Sequence, residues 1–160
     1  MSLMHSEPDR ETGKGTWCLS IPQVPKSGNI LLRMHWARYH QVLLEWFYLV
    51  RGADGFLDIT RPSGKRWVTI LRHGIKKLDR DNLYSSVKVV VDVLRPSKHE
   101  SGIYKGGAKS GQPWVRDRIG HGLILDDDDD HLRLEVKNAP LPNGRKPYLE
   151  VFISDSEITL

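Results

Sequence analysis

The chain has 160 residues, 39% hydrophobic and 28% charged, a size and balance that fit one globular domain with a real core and leave no room for two. Its single cysteine, Cys18, excludes an intrachain disulfide and a cysteine-based zinc site and favours a reducing cytoplasm, and no apolar run reaches the ~20 residues of a membrane span. Net charge is +4, but residues 61–121 hold 14 Lys/Arg against 5 Asp/Glu while residues 122–160 hold 4 against 9.

In chain order, residues 1–15 are polar and lack the apolar core of a secretory signal, so they read as a loose tail ahead of a domain over 16–160. Thr16 to Ile21 predicts a strand, stopped by Pro22 and Pro25. Lys26-Ser27-Gly28-Asn29 predicts a loop. Ala37 to Val50 has apolar residues at helical spacing, and Arg66 to Arg72 alternates as a second strand. From Asn82 to Leu94 the residues Leu83, Val87, Val90, Val91 and Leu94 fit a helix ended by Pro96, although the β-branched content would also suit a strand. Residues 95–121, rich in glycine and cations, read as a long basic loop, with a short ordered turn around Trp114 to Ile119. Leu132, Leu134 and Val136 alternate in a strand, and Pro142-Asn143-Gly144-Arg145 turns into a return strand over Tyr148 to Ile153, giving a terminal hairpin.

Two acid motifs carry the chemical signal. If Leu78-Asp79-Arg80-Asp81 is extended, Asp79 and Asp81 point the same way. Carboxylates that close raise one another's pKa unless a cation lies between them, and Mg²⁺ prefers such oxygen ligands. The run Asp126 to Asp130 offers further ligands. A basic surface around an embedded cation site suits a polyanion; the plainer reading is that the basic charge only aids solubility.

The order Asp79-x-Asp81-Asn82-Leu83, then Lys88-x-x-x-Asp92-x-Leu94, then Gly122-Leu123-Ile124-Leu125-Asp126-Asp127 resembles the RusA family of Holliday-junction resolvases, with its phage and prophage members. Upstream, Ile21-Pro22, Ser27, Asn29 and Arg33-Met34-His35-Trp36 resemble that family's N-terminal strand and loop. The resemblance implies an α/β (α+β) fold, a small mixed sheet packed against helices, with 95–121 as a basic insertion. It implies a homodimer in the bacterial cytosol or a phage-infected cell that resolves four-way DNA junctions by paired symmetrical nicks. Mg²⁺, with Mn²⁺ as substitute, would be held by Asp79, Asp81 and Asp127 with Asp126, and Lys88 would act on the scissile phosphate. Lys88 lies three residues beyond the shortest family spacing, which falls on Ser85; three residues are nearly one helical turn, so the face is kept. Lys76, Lys77, Arg80, Lys105, Lys109, Arg116 and Arg118 would contact DNA.

Each residue also has a plainer reading. The acid run can be a solvated loop, Asp79 and Asp81 can pair with Lys76, Lys77 and Arg80, and Lys88 with Asp92 can be a helix salt bridge alone. Asn82 reads as a helix cap before a ligand. Trp36, Trp46 and Trp67 read as core or dimer-packing groups, and His35, His73 and His131 as incidental before phosphate contacts. Within enzymes the rival is a nuclease for flaps, forks or RNA; outside them, a catalytically silent junction-binding protein.

Overall fold

The computed structural model describes residues 15–157. The expected tail therefore lies outside the described residues except for Gly15, which is tied down: its N–H donates to Asp155 Oδ2 at 3.3 Å and its carbonyl accepts the Asp155 N–H at 3.1 Å.

The elements run β1 (Thr16–Ile21), α1 (Gly28–Leu32), α2 (Trp36–Arg51), a 3₁₀ turn (Phe56–Asp58), β2 (Arg66–His73), α3 (Arg80–Leu94), β3 (Pro96–Ile103), β4 (Pro113–His121), β5 (Leu132–Ala139) and β6 (Tyr148–Ser154). Four strands make a mixed sheet in the order β1-β6-β2-β5, and β3 with β4 makes a separate two-stranded ribbon. This is the small mixed sheet packed against helices that the sequence predicts.

Period-2 alternation places Trp17, Leu19 and Ile21 of β1, Val68 and Ile70 of β2, and Leu149, Val151 and Ile153 of β6 in the core. The register brings Leu19 and Ile70 opposite Val151 on its two sides, and Val68 opposite Ile153. Over them α3 lays Leu83, Val87, Val90, Val91 and Leu94, and α2 adds Val42, Trp46 and Val50. Full burial of such side chains contributes about 1.5–3 kcal/mol each before chain entropy is set against it. The β-branched run that would also suit a strand is helical because it packs along this core.

Three expectations are corrected. The terminal hairpin does not form: β6 pairs antiparallel with β1 and β2, and β2 pairs parallel with β5, so β2 separates the last two strands. Within Lys26 to Asn29, a short helix starts at Gly28. A Cβ there would lie 2.2 Å from Ser85 Cβ, so glycine lets α1 sit on α3. The segment 95–121 is a β-ribbon with a tight end, where the Tyr104 carbonyl accepts the Gly111 N–H and the Tyr104 N–H donates to Gln112. Gly106, Gly107 and Gly111 there have positive φ, so the glycines that read as a loop serve the turn. His121 fastens the ribbon to α2, stacked on Phe47 with centroids 3.9 Å apart and bonded to the Phe47 carbonyl at 2.8 Å. Burial lowers the His121 pKa.

Candidate functional site

Helix α3 starts at Asp79, whose Oδ1 accepts the Asn82 backbone N–H at 2.9 Å and whose Oδ2 accepts the Asn82 side-chain amide at 2.8 Å. The segment expected to be extended is thus a helix start, with Asp79 as N-cap and Asp81 in the first turn. Residues two apart on a helix do not face one another, so the pair does not converge as a strand would make it. Asn82, expected to cap, is instead the residue capped. Its two hydrogen bonds hold the Asp79 carboxyl below the usual range.

From Asp81 the polar residues Ser85, Lys88, Asp92 and Arg95 follow at alternating steps of four and three, a single stripe down α3. The offset between Ser85 and Lys88 keeps them on one face: both line a cleft of about 410 Å³ whose far wall carries Asp127, Asp129 and Arg133. Deeper along the stripe, Asp92 is only 8% exposed. It accepts from the Tyr39 hydroxyl at 2.8 Å and from Lys88 Nζ at 3.2 Å, and Arg95 Nη1 lies 3.6 Å away. Burial, and then Asp92, push the Tyr39 hydroxyl well above its ordinary pKa. Arg95 also reaches across the cleft, Nη2 to Asp126 Oδ1 at 2.9 Å and Nη1 to Asp127 Oδ2 at 3.1 Å. The Asp127 backbone N–H, more than Arg95, lowers the Asp126 carboxyl.

The four carboxylates expected to share a metal do not meet within one chain. Leu78, beside Asp79, exchanges two hydrogen bonds with the Asn138 side chain near the end of β5, whereas the Asp128 carbonyl accepts the Leu132 N–H at its start. Those points are about six strand residues, roughly 20 Å, apart; ligand oxygens lie about 2.0–2.1 Å from Mg²⁺. Among the described residues no group of three or more His, Cys, Asp and Glu side chains is placed to hold an ion. The residues therefore do not fit a single ion bound by Asp79, Asp81, Asp126 and Asp127 together.

The predicted DNA-contacting cations divide into three places. Lys76, Lys77 and Arg80 are exposed around the α3 N-terminus. Lys105 and Lys109 lie at the ribbon end, Lys109 over the Tyr104 ring at 5.9 Å. Arg116 and Arg118, on β4, face a second groove bounded by α2. The histidines are engaged locally: His73 lies between the Pro140 carbonyl and Glu150, His131 on Asp128, and His35 caps α2. Trp46 is core, at 2% exposure, whereas Trp36 is 76% exposed and so is not a core residue of the single chain. Tyr39 and Arg95 are the site residues that the sequence reading omits. Arg95 was legible, because it continues the stripe one turn beyond Asp92; Tyr39 was not, because it comes from a different helix.

Fold and site together define an α+β domain with a charged cleft along its central helix. No family model matches the chain, and no curated protein or solved structure is detectably similar to it. Among the described residues no helix is long and apolar enough to cross a membrane.

Proposed function

We propose that this protein is a structure-selective endodeoxyribonuclease that resolves four-way DNA junctions, acting with Mg²⁺ as a homodimer. The carrying observation is that Ser85 and Lys88 of the α3 stripe line one cleft with Asp127, while Asp81 and the cations Lys76, Lys77 and Arg80 stand exposed around the α3 N-terminus. Paired nicks in opposed strands need two sites, which a two-fold dimer supplies.

Among the described residues, one chain does not gather four carboxylates around one ion. Mg²⁺ is commonly held by one or two carboxylates and a substrate phosphate, and Asp81, exposed in the first turn of α3, offers one such carboxylate. A bound ion would supply Lewis acidity and an activated water, as would Mn²⁺. Lys88, half exposed and steered by Asp92, presents an ammonium to a phosphate entering the cleft. Lys76, Lys77 and Arg80 offer backbone contacts that weaken as salt rises.

A second reading has its own support. Asp79 is committed as a cap, Arg95 neutralises Asp126 and Asp127, and Lys88 is paired, an arrangement that suits binding a junction without cutting it. The test is incubation of a labelled four-way junction with Mg²⁺ or Mn²⁺, alongside linear duplex, flap, fork and RNA substrates, for wild type and Asp81→Asn. Paired nicks on the junction that vanish in the variant support resolution, preference for another substrate redefines the nuclease, and binding without nicks under either metal establishes the silent reading.

A further inference from the structure

The second groove, about 790 Å³, lies between α2 and the β3–β4 ribbon, and the cleft reading leaves most of it unused. Its walls carry Trp36, Tyr39 and His40 from α2 and Tyr104, Arg116 and Arg118 from the ribbon. Trp36 is 76% exposed and Tyr104 41%, an unusual amount of aromatic surface to leave in water. The acids on these walls have partners of their own: Asp92 has the cations Lys88 and Arg95, Glu100 has Lys98, and Asp117 is hydrogen-bonded to the His99 ring. Arg118 Nε is buried without a hydrogen-bond partner, and the Arg116 guanidinium lies 5.9 Å over the Trp114 ring. Residues 95–121 as a whole hold 6 Lys/Arg against 2 Asp/Glu.

We propose that this groove binds unpaired nucleotides, their bases stacked on Trp36 and Tyr104 and their phosphates on Arg116 and Arg118. The inference rests on the nucleic-acid reading above and adds to it a second contact, to the single-stranded region of a branched substrate. Flat exposed aromatics beside guanidinium groups are the equipment for stacking any base while tracking its backbone. In an intact duplex the base faces are covered by their neighbours, so these rings select strands that are open. A protein partner fits less well, since Asp and Glu are depleted from protein interfaces, and Asp92, Glu100 and Asp117 all line this groove.

The test is fluorescence anisotropy with a short labelled oligothymidylate and with a duplex, for wild type, Trp36→Ala, Trp36→Phe, Tyr104→Ala and Arg118→Gln, alongside wild-type junction binding. Trp36→Ala and Tyr104→Ala should each weaken single-strand binding about tenfold with duplex binding unchanged. Trp36→Phe should restore most of the loss, and Arg118→Gln should flatten the salt dependence. Trp36 is exposed, so its variants should keep the wild-type circular dichroism spectrum. Single-strand binding that is absent in wild type or unchanged in the alanine variants, or an equal loss on duplex, would overturn the proposal. A Trp36→Ala protein that changes only its mass in light scattering would show a contact between copies instead. Failure here with intact junction binding leaves the nuclease reading standing, whereas loss of all DNA binding removes both.

Discussion

Arg95 Nη1 lies 3.1 Å from Asp127 Oδ2 and 3.6 Å from Asp92 Oδ1, so one guanidinium at the end of α3 ties the helix stripe to the acid run across the cleft. Its other nitrogen, Nη2, holds Asp126 at 2.9 Å. Two acid groups that sequence places more than thirty residues apart are thereby made one electrostatic unit.

Replacing Arg95 with glutamine should leave Asp92, nearly buried, without one of its cations and set Asp126 beside Asp127 unscreened. Loss of one partner from such a network costs about 3–5 kcal/mol where burial is complete; the half-exposed acids reduce this to about 2 kcal/mol. Urea unfolding of Arg95→Gln reads the change, and a midpoint equal to wild type would show that the bridge carries no stability.

Arg66 is fully buried, with Nε on Asp155 Oδ1 at 2.8 Å, Nη1 donating to the Leu123 carbonyl at 2.7 Å and the guanidinium 4.8 Å over the Trp17 ring. It joins β2 to both the end of β6 and the turn before the acid run. Arg66→Ala should destabilise by about 3–5 kcal/mol, because the carbonyl and carboxylate lose their donor inside the protein. Arg66→Met, which keeps the volume, should fall between the two in the same unfolding measurement.

Gly28 tests the contact of α1 with α3. A methyl group there would overlap Ser85, and overpacking of this kind costs about 1–3 kcal/mol. Gly28→Ala should lower the thermal midpoint, and adding Ser85→Gly should recover most of the loss. Strict additivity of the two changes would mean that the helices do not meet as described.

Asp79 supplies a pH test. Its folded pKa is depressed by hydrogen bonds from Asn82, so the stabilisation from its charge is present above the unfolded value of about 3.9. It is lost as pH falls through the lower folded value. Asp79→Ala should unfold more easily than wild type at neutral pH, and the gap should shrink in acid. Asp79→Asn, still able to cap, should lie near wild type. A gap that does not vary with pH would argue against capping by the charged form.

The sequence by itself determined the six elements whose apolar residues recur at a helix or strand period: β1, α2, β2, α3, β5 and β6. Trp17, Leu19 and Ile21 or Val42, Trp46 and Val50 repeat at the spacing that buries one face, and that spacing is a local property of the chain. It also determined that Ser85 and Lys88 share a face, since both stand on one helix. The hairpin ribbon escaped because Pro96–Ile103 has no buried residue to set a period, its pairing being fixed by β4 and by His121 on Phe47. Only the tertiary structure decided that β6 lies between β1 and β2, that Arg95 gathers Asp92, Asp126 and Asp127, and that Asp79 and Asp81 stand apart from them. Pairing and charge convergence depend on which distant segments share a surface, and that is settled by packing the whole core at once rather than by any run of neighbouring residues.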